Sequence, residues 1–265
     1  MSGPLLQIRD LSVSYRLGEL QARAVDGLSL TLERGERLGI VGESGSGKST
    51  LALALMRLHK QRAMINCGEV RLGGTDILAL SKEDLRRFRW REISLIPQGA
   101  MNSLNPVLRV RQQMADTIQA HRRDLGSRQI RKRIDELLQR VGLDAKVADL
   151  YPHELSGGMK QRVCIALAIV LEPKLIIADE PTSALDVVVQ RTVIETLKDV
   201  QAQIGAALIM IGHDMGLMAQ SVDHLAVMYA GRLVDVAPIK AFFTRPLHPY
   251  SQLLISSLPS PDETK

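Results

Sequence analysis

The sequence predicts an α/β protein with a mostly parallel sheet, an antiparallel β portion near its start and an inserted helical segment. Three observations carry this. Apolar stretches of buried-strand type at 175–178, 207–211 and 225–229 recur through the last third of the chain, with a helical stretch at 186–203 between the first two. Strands alternating with helices imply parallel pairing, because parallel neighbours need a long crossover. Near the start, residues 6–15 and 28–33 alternate apolar and polar side chains, as half-buried strands do. Between these regions, residues 81–152 turn Arg-rich and mostly helical in pattern, as in 128–141 with Ile130, Ile134, Leu137, Leu138 and Val141 on one face.

The remaining elements follow in order. Residues 37–41 form a short apolar strand that runs into a glycine-rich loop, and a helix follows from 48 to about 58. Residues 68–72 read as a strand closed by the Gly73-Gly74 turn. A long apolar helix runs from 156 to about 171, and the last segment, 246–265, holds one short apolar helix over 250–258.

Composition narrows the function. The chain has 265 residues, 45% hydrophobic and 24% charged, which is ample for a core and argues against disorder. Its longest apolar runs, 163–171 and 51–56, fall well short of the ~18 residues a membrane-spanning helix needs. The first ten residues lack a basic start followed by a long apolar stretch, so no secretory signal is expected. Two cysteines, Cys67 and Cys164, exclude a disulfide scaffold and a CxxC zinc framework, and suggest a reducing compartment. Cys164, in the middle of an apolar helix, reads as core. The net charge of +5 is localised: residues 81–150 carry 15 basic and 9 acidic side chains, the rest 19 against 20. Such a segment suits nucleic acid, an anionic membrane surface or an acidic partner; from charge alone the preferred reading is a solvated helical face.

Three motifs carry chemistry. Gly42-Glu43-Ser44-Gly45-Ser46-Gly47-Lys48-Ser49, followed by Thr50, fits G-x-x-x-x-G-K-S/T between a strand and a helix. Its glycines let backbone N–H groups converge on phosphate, the helix start adds a positive dipole, Lys48 reaches the outer phosphates, and Ser49 offers a hydroxyl to Mg²⁺. Residues 175–180 form an apolar strand ending in Asp179 and Glu180. A carboxylate at a strand tip suits a Mg²⁺ shell, and the adjacent glutamate suits a base that polarises water, which argues for hydrolysis beyond nucleotide binding. Leu155-Ser156-Gly157-Gly158-Met159-Lys160-Gln161-Arg162 opens a long helix with its N–H groups stripped of side chains, a second place for an anion or a plain serine cap.

Together these motifs resemble the ABC ATPases, in which the stretch at Ser156, Gly157 and Gly158 closes over ATP held by the opposite subunit of a dimer. The resemblance covers about residues 5–258 and implies a P-loop NTPase fold. That fold has a RecA-like core, an N-terminal antiparallel β subdomain and a helical subdomain at about 97–171, all within an ATPase domain of residues 1–245 with a short tail at 246–265. Further positions match by resemblance. Tyr15 is similar to the aromatic that stacks on adenine, or is simply a strand aromatic. Gln98 resembles the glutamine that reaches Mg²⁺ and the attacking water. Asp186, in Ser183-Ala184-Leu185-Asp186, resembles the loop that crosses the dimer interface. His213 resembles the histidine that contacts the γ-phosphate.

The stretch 98–106, the stretch 178–187 and the tail Pro246-Leu247-His248-Pro249-Tyr250-Ser251-Gln252-Leu253-Leu254 are closest to the ATPase subunits of prokaryotic peptide and nickel importers. That implies ATP and Mg²⁺ as cofactors, two membrane permease subunits, a second ATPase subunit (identical or paralogous) and, indirectly, an extracytoplasmic solute-binding protein. It also implies a peripheral position on the cytoplasmic face of the inner membrane, and no nucleic acid. Many relatives extend into a cysteine-bearing segment. With no cysteine after Cys164, no iron–sulfur cluster is expected here. The alternative is an ABC-type ATPase acting on nucleic acid or ribosomes, which basic composition permits. Against it, one cassette is present with no sustained heptad run between its motifs.

Overall fold

The computed structural model describes residues 3–59, 63–183 and 185–258. In chain order its elements are β1 (Leu6–Leu17), β2 (Leu20–Leu32), β3 (Arg37–Val41), α1 (Lys48–Leu55), β4 (Ala63–Leu72), β5 (Thr75–Asp76), α2 (Lys82–Phe88), β6 (Ile93–Ile96), α3 (Val110–His121), α4 (Ser127–Arg140), α5 (Gly157–Ala168), β7 (Leu175–Asp179), α6 (Val187–Ile204), β8 (Ala207–Ile211), α7 (Met215–Ala219), β9 (His224–Tyr229), β10 (Arg232–Pro238), α8 (Ile239–Thr244) and α9 (Pro249–Ser256). They fall into two compact units. One takes the residues up to 32, 36–75 and those from 209 on; the other takes 33–35 and 76–208. Among the described residues no helix is long and apolar enough to cross a membrane.

In the first unit, β1 lies between β2 and β4 and pairs antiparallel with both, with Ile8 opposite Leu30 on one side and Val70 on the other. Alternation along β1, reset by an irregularity between Ile8 and Leu11, sends Leu6, Ile8, Leu11 and Val13 into the core, each at most 1% exposed. Burying side chains of this size contributes about 1.5–3 kcal/mol each. Strand β3 pairs parallel with β9, and β9 turns through Ala230 and Gly231 into an antiparallel β10. The start of β3 is pinned by Arg37, whose Nη2 and Nε donate to the Asp223 carboxylate at 2.7 and 3.2 Å, with the Arg37 backbone N–H adding a third bond at 2.9 Å. The opposite end of β3 therefore delivers the loop that follows it from a fixed base.

In the second unit, β6 and β7 pair in parallel, Ile93 with Leu175 through Ile96 with Ala178. All five residues of β7 are buried. Helix α4 buries Ile130, Ile134, Leu137 and Leu138, the i, i+4, i+7, i+8 stripe expected of an amphipathic helix. Much of the unit's basic charge is tied up locally: Arg111 pairs with Asp135 and Asp149, Arg140 with Glu172, and Arg86 and Arg87 with Glu83. The Arg86 hydrogen bond holds the Glu83 carboxyl down at about 2. Cys164 is core, as expected: burial pushes its thiol up to about 12, and its Sγ donates to the Ala100 carbonyl.

The sequence reading needs local corrections. The helix from 48 ends at Leu55, because Arg57 turns left-handed (φ 49°) and Leu58 N–H closes back on the Leu53 carbonyl, a helix stop of the Schellman kind. The helix from 156 ends at Ala168; Glu172 then takes φ 53° ahead of Pro173, which cannot continue a helix. Residues 81–152 are mostly helical, as expected, with the unexpected four-residue strand β6 inside them. Strand β2 begins at Leu20, eight residues before the alternating stretch. Strand β10 and helices α7 and α8 had no sequence expectation.

Candidate functional site

In the first unit the loop from Gly42 to Gly47 connects buried β3 to α1. Its glycines Gly42, Gly45 and Gly47 take φ of 150°, 81° and 101°. At Gly47 the constraint is double: the conformation is left-handed, and a Cβ would run into the Ala24 carbonyl oxygen. Gly47 is also the cap residue of α1 and, as a glycine, brings no capping side chain of its own to the helix's first N–H groups. Those donors and the helix dipole are thus aimed out of the helix end, the arrangement that takes up phosphate. Lys48, only 7% exposed, curls back so that its Nζ donates to the carbonyls of Gly42 and Glu43 at 2.7 and 2.8 Å and to Ser46 Oγ at 3.2 Å. A phosphate oxygen would compete for this ammonium. Ser49 and Thr50 lie in the first turn of α1, and the Thr50 hydroxyl lies 3.2 Å from that of Tyr15. Tyr15 is a strand residue of β1, joined by this bond to the helix of the phosphate loop. His213 follows β8 and is exposed, while the next residue, Asp214, caps α7.

In the second unit Asp179 is the last residue of β7 and 5% exposed. Glu180 follows in a left-handed backbone conformation, φ 47°. A glutamate held in that region costs of order 1–3 kcal/mol and persists only where the surroundings enforce it, as they do at functional sites. Its Oε2 accepts from Gln98 Nε2 at 2.9 Å, so the structure brings two of the sequence-selected residues together across 82 positions. Gln98 thereby turns its amide nitrogen to Glu180 and keeps its carbonyl oxygen for another partner. Within this unit Asp179 and Gln98 both offer oxygen donors, which suit a hard cation such as Mg²⁺.

The same unit holds the second helix start. Ser156 is exposed and caps α5, its Oγ accepting from the Met159 N–H at 3.3 Å. Gly157 and Gly158 open the helix, and a Cβ on Gly158 would come within 2.6 Å of Val189 Cγ1, so glycine lets α5 approach α6 closely. Asp186 caps α6 in turn, accepting from the Val189 N–H at 3.0 Å. Beyond it Val187 and Val188 stand about four-fifths exposed, at 80% and 77%.

Sequence reasoning missed one contact. The backbone N–H of Glu43, inside the phosphate loop, donates to the hydroxyl of Tyr250 at 3.2 Å. Tyr250 lies in the tail stretch noted only for its resemblance. The two residues are 207 positions apart, and no periodicity or spacing links them.

Comparison with known proteins fits this geometry. A family model described as ABC transporter matches residues 25–183, and one described as oligopeptide/dipeptide transporter, C-terminal region, matches 234–265. A putative peptide import ATP-binding protein of Brucella abortus is 44% identical over 264 residues, covering 99% of this chain and 79% of its own. The oligopeptide transport ATP-binding protein OppD of Bacillus subtilis is 40% identical, covering 97% of this chain and 72% of its own. Among solved structures, the dimeric post-hydrolysis state of the ATP-binding cassette MJ0796, bound to ADP and Pi, superimposes with a TM-score of 0.78 at 27% identity, over 88% of this chain and 98% of that one.

Proposed function

The chain belongs to the ABC transporter ATPase family, and from that premise we propose that it is the ATP-hydrolysing subunit of a peptide importer. Its relatives are named as peptide, oligopeptide and dipeptide ATP-binding proteins. A related solute such as nickel is the second choice of cargo, and the reading as an ATPase on nucleic acid has no finding behind it.

One observation carries the hydrolytic reading: Glu180, strained at the tip of a buried strand, is held by Gln98 beside Asp179. Glu180 takes the role of base toward the attacking water, with Gln98 orienting it and His213 answering to the γ-phosphate. The backbone N–H groups from Gly42 to Gly47, with Lys48, Ser49 and Thr50, bind the phosphates, and Tyr15 takes the adenine side. Ser49, Asp179 and Gln98 would hold Mg²⁺, which would neutralise phosphate charge there. A second ATPase subunit, identical or paralogous, receives Ser156, Gly157, Gly158 and Asp186 across the dimer; MJ0796 is a dimer in its solved form. Residues 1–245 act as the ATPase cassette, with about 97–171 as the helical subdomain that meets two membrane permease subunits at the cytoplasmic face of the inner membrane. An extracytoplasmic solute-binding protein acts through those permeases.

The test is Glu180→Gln. Removing the base while keeping the shape leaves ATP binding within about twofold and lowers turnover at least ~100-fold, the scale of general-base loss. A steady-state ATPase rate equal to wild type would remove Glu180 from the role.

A further inference from the structure

We propose that Tyr250 is a positioning residue for nucleotide: its hydroxyl holds the Glu43 peptide of the phosphate loop and ties that loop to the seating of α9. The inference rests on the ATP-binding reading and gives the tail a task within it.

The tail helix is seated by a buried polar anchor. Ser251, fully buried, donates through its Oγ to Asp235 Oδ2 on β10 at 2.8 Å, and Asp235 is itself 9% exposed. His248 caps α9, its Nδ1 accepting from the Tyr250 N–H at 3.1 Å, and Pro249 starts the helix with a ring that lacks the N–H a first turn cannot pair. The Tyr250 ring packs at 4.6 Å between centroids on Tyr229, the last residue of β9, and is 9% exposed. Ring and helix are thus fixed before the hydroxyl does anything, so the oxygen arrives at the loop pre-oriented.

At the loop, the Glu43 peptide is gripped from both sides. Its carbonyl accepts from Lys48 Nζ at 2.8 Å and from the Ser46 N–H at 3.2 Å; its N–H donates to Tyr250. The hairpin under Tyr229 grips the loop as well, through the Gly231 N–H to the Ser46 carbonyl at 3.1 Å. When phosphate draws Lys48 away, the Lys48 bond to Glu43 is the one given up, whereas the Tyr250 bond does not involve the ammonium and persists. Without phosphate Lys48 shares the hold on the Glu43 peptide, and with phosphate bound the peptide leans more on Tyr250; that difference is what couples Tyr250 to nucleotide affinity. By linkage, whatever loosens α9 weakens nucleotide binding, and nucleotide steadies α9 to the same degree.

Tyr250→Phe removes the oxygen and keeps the ring. A neutral hydrogen bond is worth about 0.5–1.5 kcal/mol net, or roughly a 2- to 12-fold change. Titration of the protein with Mg·ADP is expected to give a Kd raised about 3- to 10-fold, with KM for ATP rising alike, turnover at saturating ATP within about twofold, and a melting temperature without nucleotide within a few degrees of wild type. Hydrogen exchange in residues 249–256 is expected to slow on adding Mg·ADP to wild type and to do so less in the variant. Unchanged Kd and KM would overturn the proposal. So would a lowered melting temperature with turnover falling in step, which marks a merely structural residue. Wild type that fails to bind Mg·ADP would instead sink the ATP-binding reading on which this rests.

Discussion

Helices α1 and α5 both open on glycine and both present backbone donors to an anion, yet they are finished differently. At α1 the cap position is a glycine with no side chain to offer, Lys48 is buried within its own loop, and the backs of Glu43 and Ser46 are held by Tyr250 and Gly231. At α5 the exposed Ser156 caps its own helix, and the neighbouring α6 begins with Val187 and Val188 open to solvent. The first is a site assembled by one chain. The second satisfies itself provisionally and is surrounded by surface that a partner would cover. On our reading, identical helix-terminal physics serves binding in one place and association in the other.

The sharpest way to break that comparison is Lys48→Ala. The loop loses its only lysine and three hydrogen bonds, and ATP affinity and turnover should both fall at least ~100-fold, in line with the strength of charge-assisted contacts to phosphate. Affinity within a few-fold of wild type in a nucleotide titration would mean the loop is not the phosphate site. Next in size is Ser156→Arg. A long cation at the exposed cap should leave Mg·ATP binding by the chain itself within about twofold yet abolish ATP-driven dimerisation of a Glu180→Gln background, read by light scattering; an undiminished dimer removes α5 from the interface. The smallest effect belongs to Ser156→Ala. It removes only the self-made cap and should cost about 0.5–1 kcal/mol of stability, a shift of a few degrees in the melting temperature. A neutral result would show that solvent caps α5 as well as its own serine does.

How much of this was readable in advance depended on burial. Residues 37–41 and 207–211 were placed to the residue, because a strand buried along nearly its whole length writes an uninterrupted apolar run. Strand β2 was cut short because the residues 20–23 that begin it are exposed and carry no pattern. Strand β6 escaped because four residues amid basic helices are too few to show a period of two. Strand β10 alternates weakly, with only Asp235 buried in it, and a buried aspartate argues against a strand until Ser251 is seen beside it. The phosphate loop and the carboxylates at 179 and 180 were legible because their chemistry is contiguous in sequence. The Gln98–Glu180 bond had a sequence rationale for each partner but none for their meeting, and the Glu43–Tyr250 bond had none at all.

The two cysteines have a practical side. A thiol reacts as its thiolate, and at neutral pH Cys164, with its proton held up to about 12, offers almost none. Cys67 sits exposed on β4. Of the two cysteines here, a maleimide dye should therefore attach to Cys67, on the antiparallel sheet that carries Tyr15. Cys67 thus offers a natural point for a fluorescent label.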